Sequence, residues 1–297
     1  MPEEGRGIIF LDELPNAPPI VQNAAYSLIL DRMLEDYILP DGWVVLAAGN
    51  VAEDRAFTFD MTPPLRTRFH HVVLKIPSLE EWFEWARSNS IDGRILAFLK
   101  LNPALIYKFI EEDRTFPTPR GWENASCLMK DKDGDCWRAV AKYCGVVAGL
   151  QFRDFMKLSE QIDLNTVLNN PEKLLGLEVS LRFSVIANLT YVFGKYPEKY
   201  GEKLMVLASS LFTGIYDIEK LKEYSDRIIE RNKLYEEGKD TTDIDSKLSS
   251  MLGQNRQSEY ATLILVSMKT SNAKEFYRLM EESKYSEPLA DLYYYLV

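Results

Sequence analysis

Two carboxylates, Asp12 and Glu13, stand side by side at the end of the apolar run Gly7-Ile8-Ile9-Phe10-Leu11. An apolar run of this kind reads as a strand buried on both faces, as in a parallel sheet covered by helices. Ligands of open α/β sheets sit at the C-terminal edge of the strands, where such a run meets water. One carboxylate there can hold a magnesium ion by way of water, and its neighbour can polarise an attacking water beside the metal. A buried strand running into an acidic turn would carry the same letters, so the pair needs companions.

Three further stretches supply them. Trp43 to Gly49 reads as a second buried strand and ends at Asn50. An amide at that tip can hold a water against a γ-phosphate without adding negative charge; a turn-forming Asn after Gly49 is the plainer use. Arg66 and Arg68 precede His70 to Ile76, which reads as a third strand. They are a solvated pair or an arginine finger, a planar and permanently charged fork that stabilises phosphoryl-transfer charge on a neighbouring subunit's nucleotide. Of the two, Arg68, next to Phe69, is the first choice. In Phe116-Pro117-Thr118-Pro119-Arg120, Thr118 reads as an N-cap and Pro119 as the first helical residue. Arg120 then projects from a helix N-terminus, a place that favours anions, and can meet a phosphate or pair with an acidic neighbour.

The elements that must carry these residues follow from periodicity and punctuation. Asn16 and the prolines at 15, 18 and 19 suit a loop entering a helix over Ile20 to about Glu35, whose apolar set is Val21, Ala24, Ala25, Leu28 and Ile29. Tyr37 to Pro40 reads as extended, with a tight turn at Asp41-Gly42. Beyond Ser78 the pattern is helical. Ser78 and Glu81 form a capping box ahead of Trp82, Phe83, Trp85 and Ala86. Helices are expected over 91–101, 102–111 and 139–158, and along the stripes Leu181-Val185-Leu189-Val192 and Leu204-Leu207-Leu211-Ile215. Ile218 to Glu236 reads as a charged helix and 237–250 as a polar mobile loop. Asn272 and Glu275 can cap a last helix with Phe276 and Met280. Asp131 to Asp135 reads as a polar turn rather than a calcium loop, since its glycine is misplaced and Lys142 stands where a bidentate Glu belongs.

Composition narrows the classes. The net charge of −10, from 35 basic and 45 acidic residues, speaks against a nucleic-acid-binding surface. No apolar run approaches the ~20 residues that span a bilayer, and Met1-Pro2-Glu3-Glu4 is not a signal peptide. Cys127, Cys136 and Cys144 lack a C-x-x-C spacing and are expected as reduced thiols of a cytoplasmic protein. His70 and His71 have no further nitrogen or sulfur ligands nearby, so zinc is not expected.

The succession G-I-I-F-L-D-E-L-P-N-A-P, L-I-L-D-R, P-D-G-W-V-V-L-A-A-G-N, P-L-R-T-R-F and F-P-T-P-R-G-W-E resembles the MoxR-type branch of the AAA+ ATPases, in order, from residue 5 to about 150. The resemblance implies Asp12 and Glu13 as the Walker B pair, Asn50 as sensor 1, Arg66 or Arg68 as the finger and Arg120 as sensor 2. It implies ATP and Mg2+ as cofactors, with Asp12 on the metal through water and Asp12, Asn50 and Arg120 on the nucleotide. It implies a ring, usually a hexamer, with chaperone-like remodelling of a protein client, often one bearing a von Willebrand A domain. The fold expected is α/β plus all-α: a partial AAA+ parallel sheet with flanking helices over 1–77, a helical lid over 78–150, and a C-terminal all-helical region over 151–297. One departure is large. No G-x-x-x-x-G-K-[ST] occurs in the chain, so the loop that cradles phosphates is missing. In the family it lies before Walker B, so a truncated product or a late start site is expected, together with an incomplete sheet that has an unpaired edge. The other reading is a catalytically silent fragment or helical scaffold.

Overall fold

The computed structural model describes residues 4–50, 61–130 and 135–294. The polar turn expected at 131–135 therefore falls almost wholly outside the described residues. The chain divides into two units, Met1–Lys75 and Ile76–Val297.

The first unit is the α/β part. Strand β1 (Gly7–Leu11) leads through a 3-10 turn (Leu14–Asn16) into helix α1 (Pro19–Leu30). A short hairpin follows, β2 (Met33–Leu34) with β3 (Tyr37–Ile38), then β4 (Trp43–Ala47) and the single-turn helix α2 (Pro63–Arg66). β1 and β4 pair in parallel from Gly7↔Trp43 to Leu11↔Ala47, so the expected strand–helix–strand crossover is present.

Several expectations for this unit are corrected. The strands are not buried on both faces: Ile8, Phe10, Val44 and Leu46 lie exposed on alternate positions. Apolar runs of this kind are suited to burial on both sides, and the described residues of this unit cover one side. His70 to Ile76 forms no strand, and Leu74 is 88% exposed. A strand exists only where a neighbour takes its N–H and C=O groups, and this stretch pairs with neither β1 nor β4, whose only described ladder is with each other. Helix α1 stops at Leu30 rather than near Glu35, because Arg32 turns left-handed (φ 56). Its guanidinium then donates to the carbonyls of Leu39, Pro40 and Trp43, fastening the hairpin to the start of β4. Of the expected apolar set Leu28 is buried and Ala25 and Ile29 are half-buried, but Val21 and Ala24 are exposed and Gln22 is buried in their place.

The second unit is helical. It runs through α3 (Leu79–Ser88), α4 (Gly93–Leu101), α5 (Pro119–Lys130), α6 (Cys136–Cys144) and α7 (Val146–Leu158). It continues through α8 (Leu164–Asn169), α9 (Glu172–Leu175), α10 (Val179–Lys195), α11 (Pro197–Thr213) and α12 (Ile218–Glu236). Helices α13 (Thr242–Met251), α14 (Ser258–Ser271), α15 (Ala273–Glu282) and α16 (Ala290–Tyr294) complete it. The Ser78–Glu81 capping box forms in both directions, and Asn272 accepts from the Glu275 amide. One hydrophobic core runs from Trp82 to Leu289, joining the stretch before residue 150 to the helices after it. Phe98 sits at its aromatic centre, edge-on to Phe152 at 5.4 Å and tilted to Trp122 at 5.9 Å.

Three readings of this unit change. The helix expected over 102–111 is only a 3-10 turn, Pro103–Leu105. The helix expected over 139–158 breaks at Gly145 (φ 90), where a Cβ would stand 2.6 Å from the Thr115 carbonyl oxygen. The stretch read as a mobile loop contains α13, because Ile244 and Leu248, one turn apart, are buried; Leu248 packs in a small second core with Leu221 and Tyr224.

Candidate functional site

The parallel register decides where the candidate residues of the first unit stand. Asp12 follows the last residue of β1, and Asn50 lies three residues past the end of β4. The ladder continues beyond both strands: the Ala48 amide donates to Leu11 (3.0 Å) and the Leu14 amide to Ala48 (3.1 Å). Gly49 is pressed against Pro15, whose Cδ lies 2.2 Å from where a Cβ would be. Any side chain at 49 would push the two strand ends apart, so only glycine lets Asn50 leave the sheet beside the Asp12-Glu13 turn. The carboxylate pair and the amide thus share one C-terminal edge, and all three are exposed to solvent.

Glu13 itself is held in an unusual conformation. It lies in the left-handed region (φ 56, ψ 34), which costs a non-glycine residue of order 1 kcal/mol or more. Its carboxylate Oε2 accepts from Asn16 Nδ2 at 2.6 Å, while Asn16 Oδ1 is buried with no hydrogen-bond partner among the described residues.

Gln22 fixes the loop behind this turn. It is fully buried, and its Nε2 donates to the carbonyls of Ala17 (3.0 Å) and Pro15 (3.5 Å). Its Oε1 accepts from the Thr62 amide at 3.3 Å, across forty residues of chain. Thr62 is the residue before α2, so one amide ties the carboxylate turn to the segment that carries the arginines. In the sequence Gln22 is marked only as a polar residue in the first turn of a helix, next to the expected apolar position Val21.

The two arginines differ. Arg66, the last residue of α2, is exposed with no ion pair among the described residues, and its carbonyl meets His71 Nε2 at 2.7 Å. Arg68 leans over the Tyr26 ring of α1, 5.8 Å from its centroid. Arg120 belongs to the second unit. It occupies the second position of α5, whose N-cap is Thr118: the hydroxyl accepts from the Gly121 amide at 2.9 Å. The Arg120 side chain is exposed, while Trp122 beside it is buried and donates to the Leu105 carbonyl at 2.7 Å.

The donor set at the strand edge suits a hydrated divalent cation. Two exposed carboxylates and a buried orphan acceptor on Asn16 are all partners for metal-bound water. No cluster of three or more His, Cys, Asp or Glu side chains that could ligate a metal directly occurs among the described residues. None of Cys127, Cys136 and Cys144 forms a disulfide, and burial pushes the Cys144 thiol up. No described helix is long and apolar enough to cross a membrane.

Compared with protein-family profiles, with characterised proteins and with solved structures, the chain matches none.

Proposed function

We propose that the chain is part of a MoxR-type AAA+ ATPase, in which ATP hydrolysis drives the remodelling of a protein client. Asp12 would hold the magnesium ion through water and Glu13 would take the proton of the attacking water. Asn50 would fix that water, and Arg120 together with Arg66 or Arg68 would offset phosphate charge. When bound, Mg2+ screens the phosphates and lowers the barrier to attack on the terminal one. What supports the reading above all is the register of β1 with β4, which gathers Asp12, Glu13 and Asn50 at one edge. Their order along the chain, with the arginines at 66, 68 and 120, adds to it. The resemblance further implies a homo-oligomeric ring, a cytoplasmic setting and a client that can carry a von Willebrand A domain.

The triphosphate cradle is not among these 297 residues, since no G-x-x-x-x-G-K-[ST] occurs. That absence favours a second reading, a catalytically silent scaffold built on the large helical core. Titration of the 297-residue chain with Mg-ATP tests the division of labour: weak or no binding is expected. Tight binding would mean that other residues cradle the phosphates. An in-frame phosphate loop encoded upstream of Met1 would favour the ATPase over the scaffold.

A further inference from the structure

We infer that Asn16 is a positioning residue that aims the Glu13 carboxylate; the inference rests on the ATPase reading of Glu13 and extends it. Three observations converge. Glu13 Oε2 is taken up by Asn16 Nδ2 at 2.6 Å, a short charge-assisted contact that leaves Oε1 to face water. The backbone at Glu13 is left-handed without glycine, so the turn relies on its surroundings to keep this shape. Those surroundings are built: the Leu14 amide is bonded to Ala48, Leu14 is buried, and Gln22 donates to the Ala17 carbonyl next to Asn16.

Asn16 is thus held in place beside Glu13, with its own amide N–H also bonded to the Glu13 carbonyl at 2.9 Å. Its amide can donate to a carboxylate but cannot itself take a proton from water, so it acts through Glu13 and touches no reacting atom. Its Oδ1 is buried without a hydrogen-bond partner among the described residues.

The first test needs no nucleotide. In the 297-residue chain labelled with 15N-asparagine, the side-chain amide signal of Asn16 is identified by its loss in Asn16→Ala. Its hydrogen-bonded amide proton is expected downfield of those of solvent-exposed asparagines, and to move back toward them in Glu13→Ala. An Asn16 amide at the position of a solvent-exposed asparagine, or one unmoved in Glu13→Ala, overturns the pairing. The second test reads Mg-ATP turnover, with the chain extended by the upstream phosphate loop should the reading frame encode one. Asn16→Ala is expected to lower kcat by roughly tenfold or more with KM unchanged, the size seen when a group that orients a reacting residue is removed. Equal kcat in Asn16→Ala and wild type, with Glu13→Gln inactive, overturns the role of Asn16 alone. Full activity in Glu13→Gln removes the ATPase reading of Glu13 instead.

Discussion

Replacing Gln22 by methionine keeps an unbranched side chain of similar length but deletes its amide. Two buried or half-buried backbone groups then lose a partner: the Thr62 N–H, bonded at 3.3 Å, and the Ala17 carbonyl, bonded at 3.0 Å. The Pro15 contact, at 3.5 Å, is too long to count for much. An unsatisfied buried group costs about 1–3 kcal/mol, and Thr62 and Ala17 are only partly buried, so about 1 kcal/mol each is appropriate. The first unit should lose roughly 2 kcal/mol against local opening, which is about a thirtyfold loss of protection. Hydrogen exchange read by mass spectrometry, on peptides covering 7–18 and 43–48, measures it directly. Peptides from α10 and α14 serve as the internal control and should not change. Exchange within threefold of wild type in the first unit would refute the claim that Gln22 holds the carboxylate turn to Thr62.

Other consequences follow from the second unit. Arg94 is buried and bonded through Nε and Nη2 to Asp92, and its guanidinium packs 4.2 Å from the Tyr191 ring. Burial works against its charge, yet the Asp92 carboxylate beside it keeps it protonated, with its pKa above that of a free arginine. Arg94→Met should therefore strand Asp92 and cost about 3 kcal/mol, seen as a lower urea midpoint by circular dichroism at unchanged slope. Leu248→Ala should destabilise the small core under α12 and α13 by about 2 kcal/mol and raise proteolysis within 237–251; no change would mean that α13 is not held by that contact. Gly145→Ala forces a Cβ to 2.6 Å from the Thr115 oxygen at φ 90, so a thermal midpoint lowered by several degrees is expected.

What was legible in the sequence was whatever is decided locally. The capping box at Ser78, the Asn272 and Thr118 caps and the span of α12 need only a few neighbouring residues, and the structure contains each of them. The two apolar strands and their polar tips were legible for the same reason. What depends on distant partners was not. Burial of a strand face is set by what lies over it, so Ile8 and Val44 could not be read as exposed. His70 to Ile76 has the letters of a strand, but pairing is a property of two segments. Arg32 ends α1 because three carbonyls from later in the chain capture its guanidinium. In α13, Ile244 and Leu248 are the only buried positions, and a two-residue stripe among polar residues is too thin to mark a helix by period.

The most direct test of the proposed ATPase is Mg-ATP turnover by Glu13→Gln, with the chain extended by the upstream phosphate loop should the reading frame encode one, and with nucleotide affinity measured alongside. Loss of the general base should lower kcat by about 100-fold or more and leave affinity within a few-fold of wild type. Turnover at the wild-type rate would contradict the assignment of the β1–β4 edge as the place where water is activated.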